Sequence, residues 1–414
     1  MNTVAAPPSL DDAVRSDQED PLAPFLDRFL PIEDPGVVAY LDGNSLGRPL
    51  RRTLEVVHDL VATQWSTRLI RGWQDGWLDL PERLGDRLGR VALGAGPGQV
   101  ILADSTSVCL YKALHAALSL RPGRDEIVTD TDNFPTDRYL VESVARARGL
   151  TVRWIESDPV SGVTARQVAD AVGDRTAVVT LSHVAYRSAA IADMRAIGEA
   201  VHATGALVVW DLCHTVGSVP AELDADGADF AVGCTYKFLN AGPGAPAFVY
   251  VRSEHQPGLD QPVPGWMSAA DRFAMAPRYR PAPGIRAMLS GTPAVTGLAG
   301  VVAGVDLLAE AGIERVRAKS TALTRFAISL HDAWLAPLGL TLASPREDAA
   351  RGGHVTSAHP RAGELSRLLI DHGVIVDFRA PDGIRFGLSP LSTRFTDVWT
   401  ALDRTRTLAS EALA

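Results

Sequence analysis

From residue 99 onward, short apolar runs alternate with segments whose apolar residues recur at helical spacing. The runs Gln99–Ala103, Glu126–Thr129, Thr151–Ile155, Ala177–Ser182, Ala206–Asp211, Phe230–Cys234 and Ala247–Val251 lack clean polar alternation, and most are rich in valine or isoleucine. That pattern predicts strands covered on both faces. Between them, Thr136–Gly149 opens on a Thr-Asp cap and stops at glycine, and Met194–Gly205 also stops at glycine, so both predict helices. The alternation predicts an α/β fold with a doubly wound, mostly parallel seven-stranded sheet. Ligands of such sheets sit beyond the carboxyl ends of the strands, so the residues just after each run matter most.

The last quarter has another rhythm. A long helical region over Ala299–Leu335 precedes short runs at Leu340–Ser344, His354–Ala358, Val374–Arg379 and Gly383–Leu388, with helices at Ala362–Gly373 and Thr396–Ala412. This predicts a smaller α+β domain. The resulting division is a flexible leader over 1–24, an N-terminal segment over 25–95 packing on the small domain and the site, a large domain over 96–295 and a small domain over 296–414.

Composition narrows the function. The 414 residues carry 40 Lys+Arg against 49 Asp+Glu, and the net charge of −9 argues against a nucleic-acid partner. The longest apolar stretch, Gly297 to Gly312, is interrupted by Asp306 and Glu310, so no membrane span is expected. The polar, acidic start of the chain does not read as a signal peptide. Three unevenly spaced cysteines without a CxxC give neither a disulfide framework nor a zinc site, and no metal is expected. A cytoplasmic enzyme is the resulting expectation.

Three strand ends carry chemistry. Ala206–Trp210 runs into Asp211, with His214 soon after; Phe230–Cys234 runs into Thr235, Tyr236 and Lys237; Gln99–Ala103 runs into Asp104-Ser105-Thr106-Ser107, which opens a helix. Pyridoxal 5'-phosphate needs a lysine amine for its aldehyde, a carboxylate for its pyridine nitrogen, and amides with hydroxyls at a helix N-terminus for its phosphate. Asp211, Lys237 and Ser105–Ser107 supply those parts. Taken singly, each has a plainer explanation as a turn, a cap or a surface pair. Their joint occurrence after successive strands favours the cofactor.

The chain resembles the kynureninases, fold-type I pyridoxal-phosphate enzymes related to the class-V aminotransferases. The likeness runs from about residue 38 to 400. It is carried by YLDGNSLG (Tyr40–Gly47), DSTSVCLYK (Asp104–Lys112), DNFPTDRYL (Asp132–Leu140), WDLCHTVGSVP (Trp210–Pro220) and DFAVGCTYKFLNAGPGAPAFVYV (Asp229–Val251). Later come PGWM (Pro264–Met267), SGTP (Ser290–Pro293), VDFRAPDGIRFGLSPL (Val376–Leu391) and RFTDVW (Arg394–Trp399). The resemblance implies that Lys237 holds the cofactor and moves the Cα proton, that Asp211 pairs with the pyridine nitrogen, and that His214 supports it. It places Thr106, Ser107, Phe134, Pro135, Thr136, Asp137 and Ser182 around the cofactor, with Phe134 stacked on the ring. Tyr236 becomes a phosphate contact and the acid/base in carbon–carbon cleavage. Trp266 and Thr292 match positions that reach the phosphate of a second subunit, which implies a homodimer with shared sites. Arg385 matches the clamp on the substrate α-carboxylate, with Asn44 and Ser45 beside the substrate. The implied reaction converts L-kynurenine or a ring-modified kynurenine, such as 3-hydroxykynurenine, to L-alanine and an anthranilate.

Four positions depart from the family pattern: Cys109 and Ala185 stand where asparagine is usual, Met267 replaces a second aromatic, and Ser392 replaces tyrosine. They fall on the implied aryl side and leave two openings, a shifted substrate or neutral drift. A diverged reaction of the aminotransferase type is the alternative to hydrolysis. A desulfurase needs a reactive cysteine on a mobile loop in the C-terminal half, and no cysteine follows Cys234.

Overall fold

The computed structural model describes residues 7–413. Seven strands form the large sheet: β1 (Val100–Ala103), β2 (Glu126–Asp130), β3 (Thr151–Ile155), β4 (Thr176–Ser182), β5 (Leu207–Asp211), β6 (Phe230–Gly233) and β7 (Ala247–Val251). Their order across the sheet is β1-β7-β6-β5-β4-β2-β3. Strand β7 runs antiparallel to both β1 and β6, and the remaining pairings are parallel. Strands β1, β5, β6 and β7 are buried along their whole length, which explains their unbroken apolar runs. The edge strand β3 is the one with exposed positions.

Helices cover both faces, so the sheet separates two apolar clusters. Helix α4 (Thr106–Ser119) follows β1, and α5 (Pro135–Arg148) follows β2. Helix α5 starts one residue earlier than its sequence suggests, because Pro135 occupies its first turn and needs no amide partner there. Asp137 in that turn is thereby free to face the strand ends.

The C-terminal part carries a four-stranded antiparallel sheet of β8 (Thr341–Leu342), β9 (His354–Ala358), β10 (Asp377–Arg379) and β11 (Gly383–Gly387), ordered β10-β11-β9-β8. Two expectations change here. The long helix over 299–335 starts earlier and is two helices, Val295–Ala311 and Ile313–Leu330, meeting at 84°. Gly312, at φ +79°, makes the corner. The single run Val374–Arg379 is also two pieces: Val374–Ile375 pairs in parallel with Ala39–Tyr40, and only Asp377–Arg379 joins the four-stranded sheet.

The leader is the third correction. Its residues 1–6 lie outside the described range, but Leu10–Glu19 form a helix. Ser9 and Asp12 close a capping box, and Ala13 is fully buried. Asp17 takes the Phe395 amide at 2.7 Å and the Thr396 hydroxyl at 2.7 Å, and so caps the last helix (Phe395–Ala412). Asp20 pairs with the buried Lys319 at 2.6 Å. The helix is mostly polar, so no apolar stripe announces it, and the bonds of Asp17 and Asp20 to distant residues add to its local capping box.

Candidate active site

The register of the parallel strands sets the site. Ser182 at the end of β4 lies opposite Asp211 at the end of β5, and Asp211 lies opposite Val232 in β6. The chain leaves β6 and turns within a few residues to Lys237. Its Nζ sits 3.1 Å from His214 Nε2 and 6.0 Å from the centre of the Phe134 ring. Phe134 is fixed edge-on against Tyr186, with ring centres 5.3 Å apart.

Asp211 is buried, and one carboxylate oxygen takes the Cys213 amide at 2.7 Å. Asp137 faces it. Burial, and then the charge of Asp211, push the Asp137 carboxyl far above its usual range, so it keeps a proton for the hydrogen bond to Asp211. Its Oδ2 has no partner. His214 is held neutral by burial and by the Lys237 charge, and its Nδ1 is also without a partner. Tyr236 is pushed up by burial, then by the neighbouring Cys234 and Cys213 thiols, so its phenol remains a proton donor at neutral pH.

Helix α4 points its N-terminus at the same space. Ser105 is its N-cap but makes no side-chain cap bond, and Asp104 before it adopts φ +44°. The positive end of a 14-residue helix is thus left open to an anion, beside the hydroxyls of Thr106 and Ser107. Thr106 Oγ1 lies 3.9 Å from Cys213 Sγ, which ties the helix start to the Asp211 turn.

Arg385 comes from β11. It is 1% exposed, donates to the Tyr186 carbonyl at 2.6 Å and the Ser45 hydroxyl at 2.9 Å, and pairs with Asp377. Burial lowers its pKa to about 10. Asp377 also pairs with Arg379 at 2.9 Å, so this arginine stands at the site's edge. Asn44 lies fully buried against Gly387, where any Cβ would fall 1.9 Å from Asn44 Oδ1. Neither polar atom of Asn44 has a partner.

Not every singled-out residue joins this cluster. Trp266 packs toward Phe273 with ring centres 6.2 Å apart, and Thr292 is exposed; both belong to the 261–293 lobe. Pro135 and Thr136 are half-buried in the first turn of α5. Ser182 donates to Asn133 Oδ1 at 2.8 Å, the atom that also takes the Phe134 amide. Asn133 therefore positions two site residues, a role its place inside DNFPTD alone does not reveal. Asp377 and His354 are two more functional candidates missed in sequence, because antiparallel pairing between distant segments brings them in. Of the family departures, Cys109 bonds the Ala103 carbonyl in the core and Met267 is fully buried, whereas Ala185 lines a small cavity behind Ser182 and Tyr186. Buried Ser392 offers its carbonyl to Arg48.

A family model described as the kynureninase C-terminal domain matches residues 316–405. The chain is 44% identical to a kynureninase of Pseudomonas fluorescens over 94% of its own length and 93% of the relative. It is 40% identical to a kynureninase of Burkholderia pseudomallei, covering 96% of this chain and 94% of that one. Among solved structures, an apo cysteine desulfurase from Thermococcus onnurineus superposes with a TM-score of 0.82 at 18% identity, covering 93% of this chain and 98% of that one. The cysteine desulfurase CsdA of Escherichia coli gives 0.80 at 16%, covering 95% and 99%. A C-DES variant, solved with glycine covalently linked to its pyridoxal phosphate, gives 0.78 at 18%, covering 89% and 96%. At these identities the structural likeness establishes the fold alone.

Proposed function

The chain belongs to the kynureninase family, and from that premise we propose how its site works. The enzyme is a pyridoxal-phosphate-dependent hydrolase that cleaves the Cβ–Cγ bond of L-kynurenine, or of a ring-modified kynurenine such as 3-hydroxykynurenine. Water and substrate yield L-alanine and an anthranilate. One observation carries the reading: a lysine and a buried carboxylate end neighbouring strands, facing the uncapped start of a long helix.

The residues fit the cofactor. Asp137 Oδ2 and His214 Nδ1 are buried without partners, and α4 offers an anion site that no side chain closes. When bound, pyridoxal phosphate supplies an electron sink that draws charge from the substrate Cα. Asp211 keeps the pyridine nitrogen protonated, and the Asp137 proton steadies Asp211. Phe134 would cover the ring, while Pro135, Thr136 and Ser182 would shape the wall around it. Thr106 and Ser107 hold the phosphate with amides and hydroxyls, and Tyr236 contacts it. Lys237 is the attachment point and moves the Cα proton at its Nζ. The Tyr236 hydroxyl handles a proton at the substrate γ-carbonyl during Cβ–Cγ cleavage. Arg385 turns its fork from Asp377 to the substrate α-carboxylate, with Asn44 and Ser45 alongside.

Trp266 and Thr292 serve the phosphate of a partner subunit, so the working unit is a homodimer. Large apolar side chains left exposed support this: Leu54, Trp65, Leu69 and Ile70 on one segment, Phe273 and Met275 on the 261–293 lobe. A cytoplasmic location belongs to the same proposal, supported by three free, buried thiols. So does the division into an N-terminal segment (25–95), a large domain (96–295) and a small domain (296–414).

The test is product analysis. Purified protein incubated with kynurenine and with 3-hydroxykynurenine releases alanine and the matching anthranilate, detected by mass. A keto acid with no alanine would transfer the site to an aminotransferase.

A further inference from the structure

Strands β10 and β11 gather three charges on one face. In their antiparallel pairing Asp377 lies directly opposite Arg385, and Arg379 lies opposite Gly383. Residues two apart on a strand point to the same side, as do residues paired directly across two strands. Asp377, Arg379 and Arg385 therefore stand together, and the residue facing Arg379 has no side chain to part them.

One oxygen joins all three. Asp377 Oδ2 pairs with Nη2 of Arg385 and, at 2.9 Å, with Nη2 of Arg379, and it takes the Ser45 hydroxyl at 3.3 Å. The two guanidiniums differ in what else holds them. The Arg385 side chain is 1% exposed and also donates to the Tyr186 carbonyl and the Ser45 hydroxyl. The Arg379 side chain is 34% exposed, and among the described residues Asp377 is the one acid in ion-pair reach of it. Its charge nevertheless bears on His214 and Tyr186, so it faces the site.

The reaction described above asks Arg385 to turn from Asp377 to the α-carboxylate of the substrate. Asp377 would then be left beside a second carboxylate, and two such groups around a single guanidinium in a closed site repel one another. Asp42 adds to the negative side: burial, against the pull of the Ser45 hydroxyl, pushes its carboxyl up, and the Asp377 charge pushes it further. A second cation answers this. Arg379 already touches the very oxygen that Arg385 must release, and its fork can take that carboxylate without leaving the strand.

We propose that Arg379 is a positioning residue for substrate binding: it keeps Asp377 when the α-carboxylate takes the Arg385 fork. Asp377 is thus a carboxylate shared by two arginines, holding Arg385 in place in the free enzyme and passing to Arg379 in the complex. The proposal rests on Arg385 being the carboxylate clamp of the proposed reaction.

The test compares the wild-type holoenzyme with Arg379→Met, Arg379→Lys and the double variant Asp377→Asn/Arg379→Met. Two readouts are taken: steady-state kinetics with kynurenine, and binding of the product L-alanine followed by the visible band of the cofactor. Arg379→Met raises KM about tenfold, with kcat within about twofold of wild type, and weakens alanine binding in step. Arg379→Lys, which keeps the charge, recovers most of both. The double variant also recovers them, to within about threefold of wild type, because the stranded carboxylate is gone. An unchanged KM in Arg379→Met overturns the proposal. So does a double variant as weak as Arg379→Met, which would mean that Arg379 holds the substrate itself. If Arg379→Met does not fold, Arg379→Gln takes its place with the same expectations and the same refutations. If the wild type binds alanine but cleaves no kynurenine, the functional reading fails while the alanine titrations still decide Arg379.

Discussion

The two ends of the central sheet handle histidines and buried carboxylates in opposite ways. At the amino ends of β5 and β6, Asp229 is fully engaged: His202 Nε2 at 2.8 Å, His255 Nε2 at 2.7 Å and the Val208 amide at 2.8 Å all bond its carboxylate. At the carboxyl ends, Asp137 Oδ2, His214 Nδ1, both nitrogens of His354 and both polar atoms of Asn44 have no partner. Residue types are alike, although His202 and His255 reach solvent while His214 and His354 are buried; satisfaction differs. Each unpaired buried group costs about 1–3 kcal/mol, so a fold keeps several together only where a ligand will complete them. The satisfied cluster is scaffold, and the unsatisfied one is the site.

The largest expected effect breaks the open end. Lys237→Ala lowers turnover on the order of 10³-fold or more and abolishes the visible band of the attached cofactor. Near-normal steady-state rates in that variant would remove the lysine from its role. Arg385→Ala comes next, with KM raised roughly 100-fold while the visible band persists, because it removes a charged fork from the substrate but not from the cofactor. Equal losses in cofactor content and in KM would show that the arginine holds the fold instead.

Asp229→Asn sharpens the contrast from the closed end. Stability falls by about 2–3 kcal/mol in urea titrations, with kcat per folded molecule unchanged. Against the burial that would raise it, the bonds from His202, His255 and the Val208 amide draw Asp229 down to about 2. Its contribution is therefore fully present above the unfolded value, about 3.9, and is lost as pH falls through about 2. The wild-type and variant curves should converge in strong acid; parallel curves would contradict the assignment.

The smallest effect is at Asp130, which burial raises to about 6 despite the Ser157 hydroxyl. The sign is reversed: stability is full below the unfolded value and drains away as pH rises through about 6. Asp130→Asn keeps the acceptor for Ser157 and should be more stable than wild type by about 1 kcal/mol at pH 8, with no gain at pH 4. A gain independent of pH would point to packing.

What was legible in the sequence follows from what is local. The strands β1 to β7 show in their unbroken apolar runs, and Asp211 and Lys237 show because each ends such a run. The helix Leu10–Glu19 escapes notice because it is polar and gains its hold from Asp17 and Asp20 bonding residues far along the chain. Asp377 and His354 escape for the same reason. Their chemistry depends on a register between β9, β10 and β11 that no single run of residues encodes. Asn133 was inside a recognised motif, but its work is a contact with Ser182 on another strand.

The most direct test of the central claim is where pyridoxal phosphate attaches. Borohydride reduction of the holoenzyme followed by peptide mass mapping should find the pyridoxyl group on the peptide bearing Lys237 and nowhere else, with Asp211→Ala sharply weakening its retention. A pyridoxyl mark on Lys112 or Lys319, or none at all, would contradict the account.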